Sequence, residues 1–185
     1  MKVGIVADTH DEETAISKAV KIFNEEGVEV VIHAGDFVAP FTEQSFRKLK
    51  APLIGVFGNN DGDKLLLKQM YKDNGVGELH KDPHEFELGT KKMIVTHRPM
   101  IVKALATSGI YDAVIYGHTH KPVIERYQHR YRYQYQRSNR NTGGDGGEEA
   151  CSWLINPGEC CGYITGRKTV VVLDLEEEAA RIVKL

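Results

Sequence analysis

Five short apolar runs in this chain each stop at residues able to do chemistry. KVGIVA (residues 2–7) runs into Asp8-Thr9-His10, EVVIHA (29–34) into Gly35-Asp36, and PLIGVF (52–57) into Gly58-Asn59-Asn60-Asp61. KKMIV (91–95) leads to Thr96-His97, and AVIY (113–116) leads to Gly117-His118-Thr119-His120. Short runs of this kind, rich in Val and Ile, read as strands buried on both faces. Strands of that type need a covering layer on each side, which confines the chain to an α/β arrangement. In such sheets the carboxyl ends of the parallel strands are the edge where ligands are held.

The segments between the runs support this. Ile16, Ala19, Val20 and Phe23 form an i, i+3, i+4, i+7 stripe, which predicts a helix over 12–26 with Asp11 as N-cap and Gly27 closing it. A second helix is expected over 40–50, with Pro40 in its first turn, and a third over 64–73 capped by Asp63. Strand–helix–strand alternation implies parallel pairing with right-handed crossovers. After Asn74 the rhythm changes. Residues 85–88 and 93–96 flank Gly89-Thr90 as a hairpin, 99–108 read as a short helix closed by Gly109, and 169–175 and 179–185 flank an acidic turn. The fold expected is α/β, with two packed mixed β-sheets flanked by helices.

The 185 residues suit a single domain, 1–185. Within it, 126–150 stand apart as an inserted β-arm or loop. Residues 130–136 read R-Y-R-Y-Q-Y-Q, a period-two pattern, and 142–147 read TGGDGG. Two uses fit this segment. One is a variable loop that borrows stability from packing or from a homo-oligomer contact; the other is a platform on which tyrosines stack bases and arginines meet phosphates. The chain as a whole, with 24 Lys+Arg against 26 Asp+Glu, is not a globally basic nucleic-acid binder. No apolar run approaches the roughly 18–20 residues of a membrane helix, and the first strand pattern starts at Lys2, so no membrane partner and a cytoplasmic location are expected. Three cysteines, Cys151, Cys160 and Cys161, are too few for a disulfide framework, and none stands in a CxxC pair, which argues against a thiolate zinc site.

The candidate ligands are all nitrogen and oxygen: Asp8, His10, Asp36, Asn59, His97, His118 and His120. Such a set suits Mn, Fe, Co, Ni or Zn. Seven ligands exceed what one ion with an open position takes; they suit two ions sharing a carboxylate, roughly 3.5–4 Å apart. Gly35, Gly58 and Gly117 are expected to let the backbone turn sharply off the strands. His33, His80, His84 and His129 lack a strand-end setting and read as ordinary core or surface residues.

The ordered set D-x-H, G-D, G-N-x-D, H, G-H-x-H resembles the calcineurin-like metallophosphoesterase superfamily. It is most similar to the small prokaryotic YfcE-type phosphodiesterase branch, a likeness that extends to Ile155-Asn156-Pro157-Gly158. The resemblance implies roles. Asp8, His10 and His120 would hold a first ion, Asn59, His97 and His118 a second, and Asp36 would bridge them. It also implies a metal-dependent phosphoric diester hydrolase in which a metal-bridging hydroxide attacks phosphorus. Two divalent transition-metal ions per subunit are expected, manganese first, with nickel, iron, cobalt or zinc as alternatives. The substrate would be a small phosphodiester. Two positions depart from common family patterns. Asn60 stands where many members have a His that assists the leaving group. Arg98 and Pro99 follow His97 where relatives often read T-H-G-H, and Arg98 is a candidate cation for a phosphate oxygen. A nuclease using the basic arm and a non-catalytic interaction module on the same fold are the alternative readings.

Overall fold

The computed structural model describes residues 1–129 and 150–185. In chain order the elements are β1 (Lys2–Val6), α1 (Glu13–Glu26), β2 (Val30–His33), a 3-10 turn (Pro40–Thr42), α2 (Glu43–Phe46), β3 (Leu53–Val56), α3 (Lys64–Asp73) and β4 (Gly77–His80). There follow β5 (His84–Leu88), β6 (Lys91–Thr96), α4 (Val102–Thr107), β7 (Ala113–Tyr116), β8 (Pro122–His129), β9 (Ala150–Pro157), β10 (Thr169–Asp174) and β11 (Ala179–Lys184).

Among the described residues these strands form two mixed sheets, ordered β11-β10-β1-β2-β3-β4 and β5-β6-β7-β9-β8. β1 through β4 pair in parallel, as do β6 and β7, so the five strand ends that carry the candidate ligands belong to parallel strands. Ile5, Ile32 and Val56 of the first sheet pack with Val95, Ile115 and Ile155 of the second to form the layer between them. Ile16, Phe23, Phe46, Leu67 and Tyr71 cover the first sheet's other face. Val102 and Ala106 of α4 lie against Ile94, Val114 and Leu154 on the outside of the second. The order helix, sheet, sheet, helix explains the uninterrupted apolar runs: β1, β2 and β7 have no solvent face to alternate toward.

Several details differ from expectation. Glu12, not Asp11, caps α1: its carboxylate accepts from Ala15 N at 2.7 Å and from Lys168 Nζ at 2.8 Å. Asp11 Oδ1 accepts from Ala39 N instead. The helix expected over 40–50 is only a 3-10 turn and one α turn. Beyond it, Asn24 accepts from Lys50 N and donates to Lys48 O, so a side chain takes the backbone groups a longer helix would use. The helix expected over 99–108 is confined to 102–107. β4 leaves no pattern in the sequence, because GELH buries only Leu79 at the sheet edge. Arg126–His129 are the last four residues of β8, which pairs with β9 as far as His129 opposite Ala150. The alternation at 130–136 and the turn at 142–147 lie outside the described residues. Among the described residues, no helix is long and apolar enough to cross a membrane.

Candidate metal centre

The seven strand-end residues meet at one edge of the two sheets. Asp8, His10, Asp36, His118 and His120 all have left-handed backbone, with φ between 40° and 67°. None of these is glycine, and such strain persists where surrounding structure fixes it. Here the fixing is by backbone bonds between loops. Asp8 N donates to Gly35 O, Thr9 N and His10 N both donate to Asp36 O, and Cys161 N donates to Asp8 O. Gly58 and Gly117 serve a different purpose from that expected. Their φ values are not left-handed; what they supply is room. A Cβ on Gly58 would sit 2.1 Å from Asp36 Oδ1, and one on Gly117 would sit 2.6 Å from Ala34 O.

Two half-sites share Asp36. In the first, His10 Nε2 lies 3.9 Å from Asp8 Oδ1 and 3.6 Å from Asp36 Oδ2, and His120 Nε2 lies 3.5 Å from Asp8 Oδ1. His10 Nε2 is buried and has no hydrogen-bond partner. In the second, His97 Nε2 lies 2.9 Å from Asn59 Oδ1, 3.2 Å from His118 Nδ1 and 3.4 Å from Asp36 Oδ2. The buried floor is Asp8, Asp36 and His97; Asn59 and His118 form the exposed rim.

The electrostatics here follow from burial and from the opposite charges brought together. Burial pushes the Asp8 carboxyl up to about 7, against the pull of His120 and His97. At Asp36 burial is outweighed by hydrogen bonds from His97 and Asn60, which hold the carboxyl well below its usual range. Burial lowers His10 and His118, whereas Asp36 overcomes burial at His97 and raises it. Converging carboxylate, amide and imidazole acceptors need either a proton on each ring or a cation between them. The unpartnered His10 nitrogen and the all-nitrogen-and-oxygen donor set fit divalent ions.

The sequence profile of the calcineurin-like phosphoesterase superfamily domain matches residues 1–178. The chain belongs to this superfamily. It is 40% identical over 187 residues to phosphodiesterase MJ0936 of Methanocaldococcus jannaschii, covering 100% of this chain and 99% of that protein. A solved structure described as a novel archaeal phosphodiesterase superposes with a TM-score of 0.81 at 39% identity, over 100% of both chains. The Escherichia coli phosphoesterase YfcE shares the fold, with a TM-score of 0.61 at 16% identity over 99% of this chain and 98% of that one.

Sequence reasoning missed several residues of this calcineurin-like site. Glu159, 0% exposed, accepts from His120 Nδ1 at 2.7 Å and also from Ile164 N, Thr165 Oγ1 and Cys161 Sγ. That contact orients His120 and leaves its Nε2 free to face Asp8. The matching contact at His97 is Nδ1 to Ala34 O, 2.9 Å. Asp61 braces two loops, accepting from Val38 N and Gly58 N. His33 is a core residue stacked on Phe37, bonding Thr9 Oγ1 and accepting from Gly35 N. Cys161 lies with His10 and His120 in a group whose donor atoms are within 4.8 Å of one another, but burial pushes its thiol up to about 12. Asn60 uses both its backbone N–H and its amide on the Asp36 carboxylate, each at 2.8 Å. Arg98 is exposed beside His97. A glutamate directly after Asn156-Pro157-Gly158 was visible, but nothing local linked it to a histidine 39 positions away.

Proposed function

We propose that this chain hydrolyses phosphodiester bonds at a dinuclear metal centre. Asp8, His10 and His120 would hold one ion and Asn59, His97 and His118 the other, with Asp36 placed between the two sets. Manganese is the preferred ion, with nickel, iron, cobalt and zinc as substitutes that the same donors accept. Two bound divalent ions supply Lewis-acid charge for the non-bridging phosphate oxygens and a water acidic enough to act as nucleophile near neutral pH. The observation that carries this reading is Asp36 Oδ2, which lies 3.6 Å from His10 Nε2 and 3.4 Å from His97 Nε2, between the two half-sites.

The protein's own contribution is positioning. Glu159 and the carbonyl of Ala34 fix two imidazoles, so that their free nitrogens face inward. Asn60 holds both oxygens of Asp36. Arg98, exposed beside His97, supplies a cation for a phosphate oxygen of the bound substrate. No titratable side chain stands at the Asn60 position to protonate a leaving alkoxide, so substrates with acidic leaving groups are favoured over alkyl monoesters. Two measurements test the reading. Metal-stripped protein titrated with Mn²⁺ is expected to take up two ions per chain and to gain activity on bis(4-nitrophenyl) phosphate. Asp36→Ala is expected to lose both ions' tight binding and at least ~10²-fold in turnover. Uptake of one ion only, or full turnover by Asp36→Ala, overturns the dinuclear assignment.

A further inference from the structure

A cleft of about 450 Å³ adjoins the second half-site, lined by Phe57, Gly58, Lys64, Lys81, Asp82 and Arg98. Its position is tied to the centre by the chain itself. Gly58 precedes Asn59, Arg98 follows His97, and Asp82 Oδ1 accepts the His97 backbone N–H at 2.9 Å. We propose that this cleft binds a second phosphate group of the substrate, so that the preferred substrates are phosphodiesters carrying a further phosphate. The inference rests on the phosphodiesterase reading above and adds the substrate class.

The argument is one of charge and geometry. A simple diester carries a single negative charge near neutral pH, and the metal-binding half-sites answer it. The cleft then offers three more cations against one carboxylate, and that carboxylate is already fastened to His97 N. Among the described residues, Lys64, Lys81 and Arg98 make no ion pair, although other exposed lysines and arginines here, such as Lys21 and Arg47, do. The three come from separate elements: the start of α3, the turn after β4, and the loop after β6. They therefore converge on one cleft from different directions. Lys64 Nζ is also drawn over the Phe57 ring, 5.8 Å from its centroid, which holds the ammonium at the wall. A terminal phosphate offers three non-bridging oxygens to such a set, with the guanidinium fork able to take two of them. The volume admits a phosphate together with the sugar that links it to the scissile diester.

The test compares the thymidine dinucleotide TpT with forms bearing a terminal 5′- or 3′-phosphate. With Mn²⁺-loaded wild type, one phosphorylated form is expected to exceed TpT by ~10-fold or more in kcat/KM, chiefly through KM. Lys64→Ala/Lys81→Ala is expected to bring that ratio within about threefold of unity, and Lys81→Glu to bring it lower still. A wild-type ratio near one, or a ratio preserved in both variants, overturns the proposal. Equilibrium binding to metal-free protein provides an arm independent of turnover. There the phosphorylated dinucleotide is expected to bind more tightly than TpT, with an advantage that shrinks as salt rises and is lost in the variants. Equal binding overturns the proposal whatever the activity. If bis(4-nitrophenyl) phosphate and every dinucleotide resist hydrolysis, the phosphodiesterase reading fails, and the cleft is judged on the binding arm alone.

Discussion

Glu159 shows how much a single buried carboxylate can organise. Burial opposes its charge, but Thr165, His120 and the Ile164 and Thr165 backbone N–H groups outweigh it and bring the carboxyl down to about 2. It therefore stays an acceptor at any working pH, and His120 keeps its proton on Nδ1. Glu159→Gln preserves shape but presents an amide that must turn a donor toward one of these partners. The expected outcome is a loss of about 10–100-fold in affinity for the first ion, with the second less affected. Metal titration of the stripped variant by calorimetry checks this, and unchanged affinity at both positions would show that His120 orients itself.

Among the elements, α1 displays the usual division between pattern and detail. Its apolar stripe is plain in the sequence, and Ala15, Ile16, Ala19, Val20 and Phe23 are the residues it buries. Its cap is not plain, because Asp11 and Glu12 are adjacent and both can accept. Lys168, 156 residues away, sits beside the glutamate. Glu12→Ala is expected to cost about 1 kcal/mol near neutral pH. The carboxyl of Glu12 is pulled below its ordinary value by Lys168 and Ala15 N, which overcome burial. A depressed carboxyl stabilises above its unfolded pKa, about 4.3, and that stability is lost as pH falls through the folded value. Urea unfolding of wild type and variant should therefore diverge near neutrality and converge below about pH 4. A gap that widened in acid would contradict the assignment. β4 and α2 were hard to read for the opposite reason, since neither buries enough residues to leave a pattern.

At the scale of the whole molecule, the sheets, their two inner faces and the loop-to-loop bonds make the metal edge a product of the core. The segment at 130–149 joins β8 to β9 at their far ends, where His129 pairs with Ala150. The role proposed for it is a contact with a second copy of the chain. Replacing 130–149 by Asn-Gly, which suits a two-residue hairpin turn, should then leave metal stoichiometry and diester hydrolysis intact and change the sedimentation coefficient of the assembly. An unfolded product would instead make the segment part of the domain.

The class of fold and the order in which strand ends carry polar chemistry were legible in the sequence, and so were the candidate donors. Strands buried on both faces appear as bare apolar runs, and a residue such as Asp8 or His97 interrupts them only where the strand ends. The pairing of half-sites, the use of Gly58 and Gly117 as clearance, the second carboxylate behind His120 and the cationic cleft were decided by tertiary structure alone. Each depends on atoms brought together from segments far apart in the chain, such as Asp36 with Asn60 or His120 with Glu159. Contacts of that kind have no period, and distance along the chain hides them until the sheets pack.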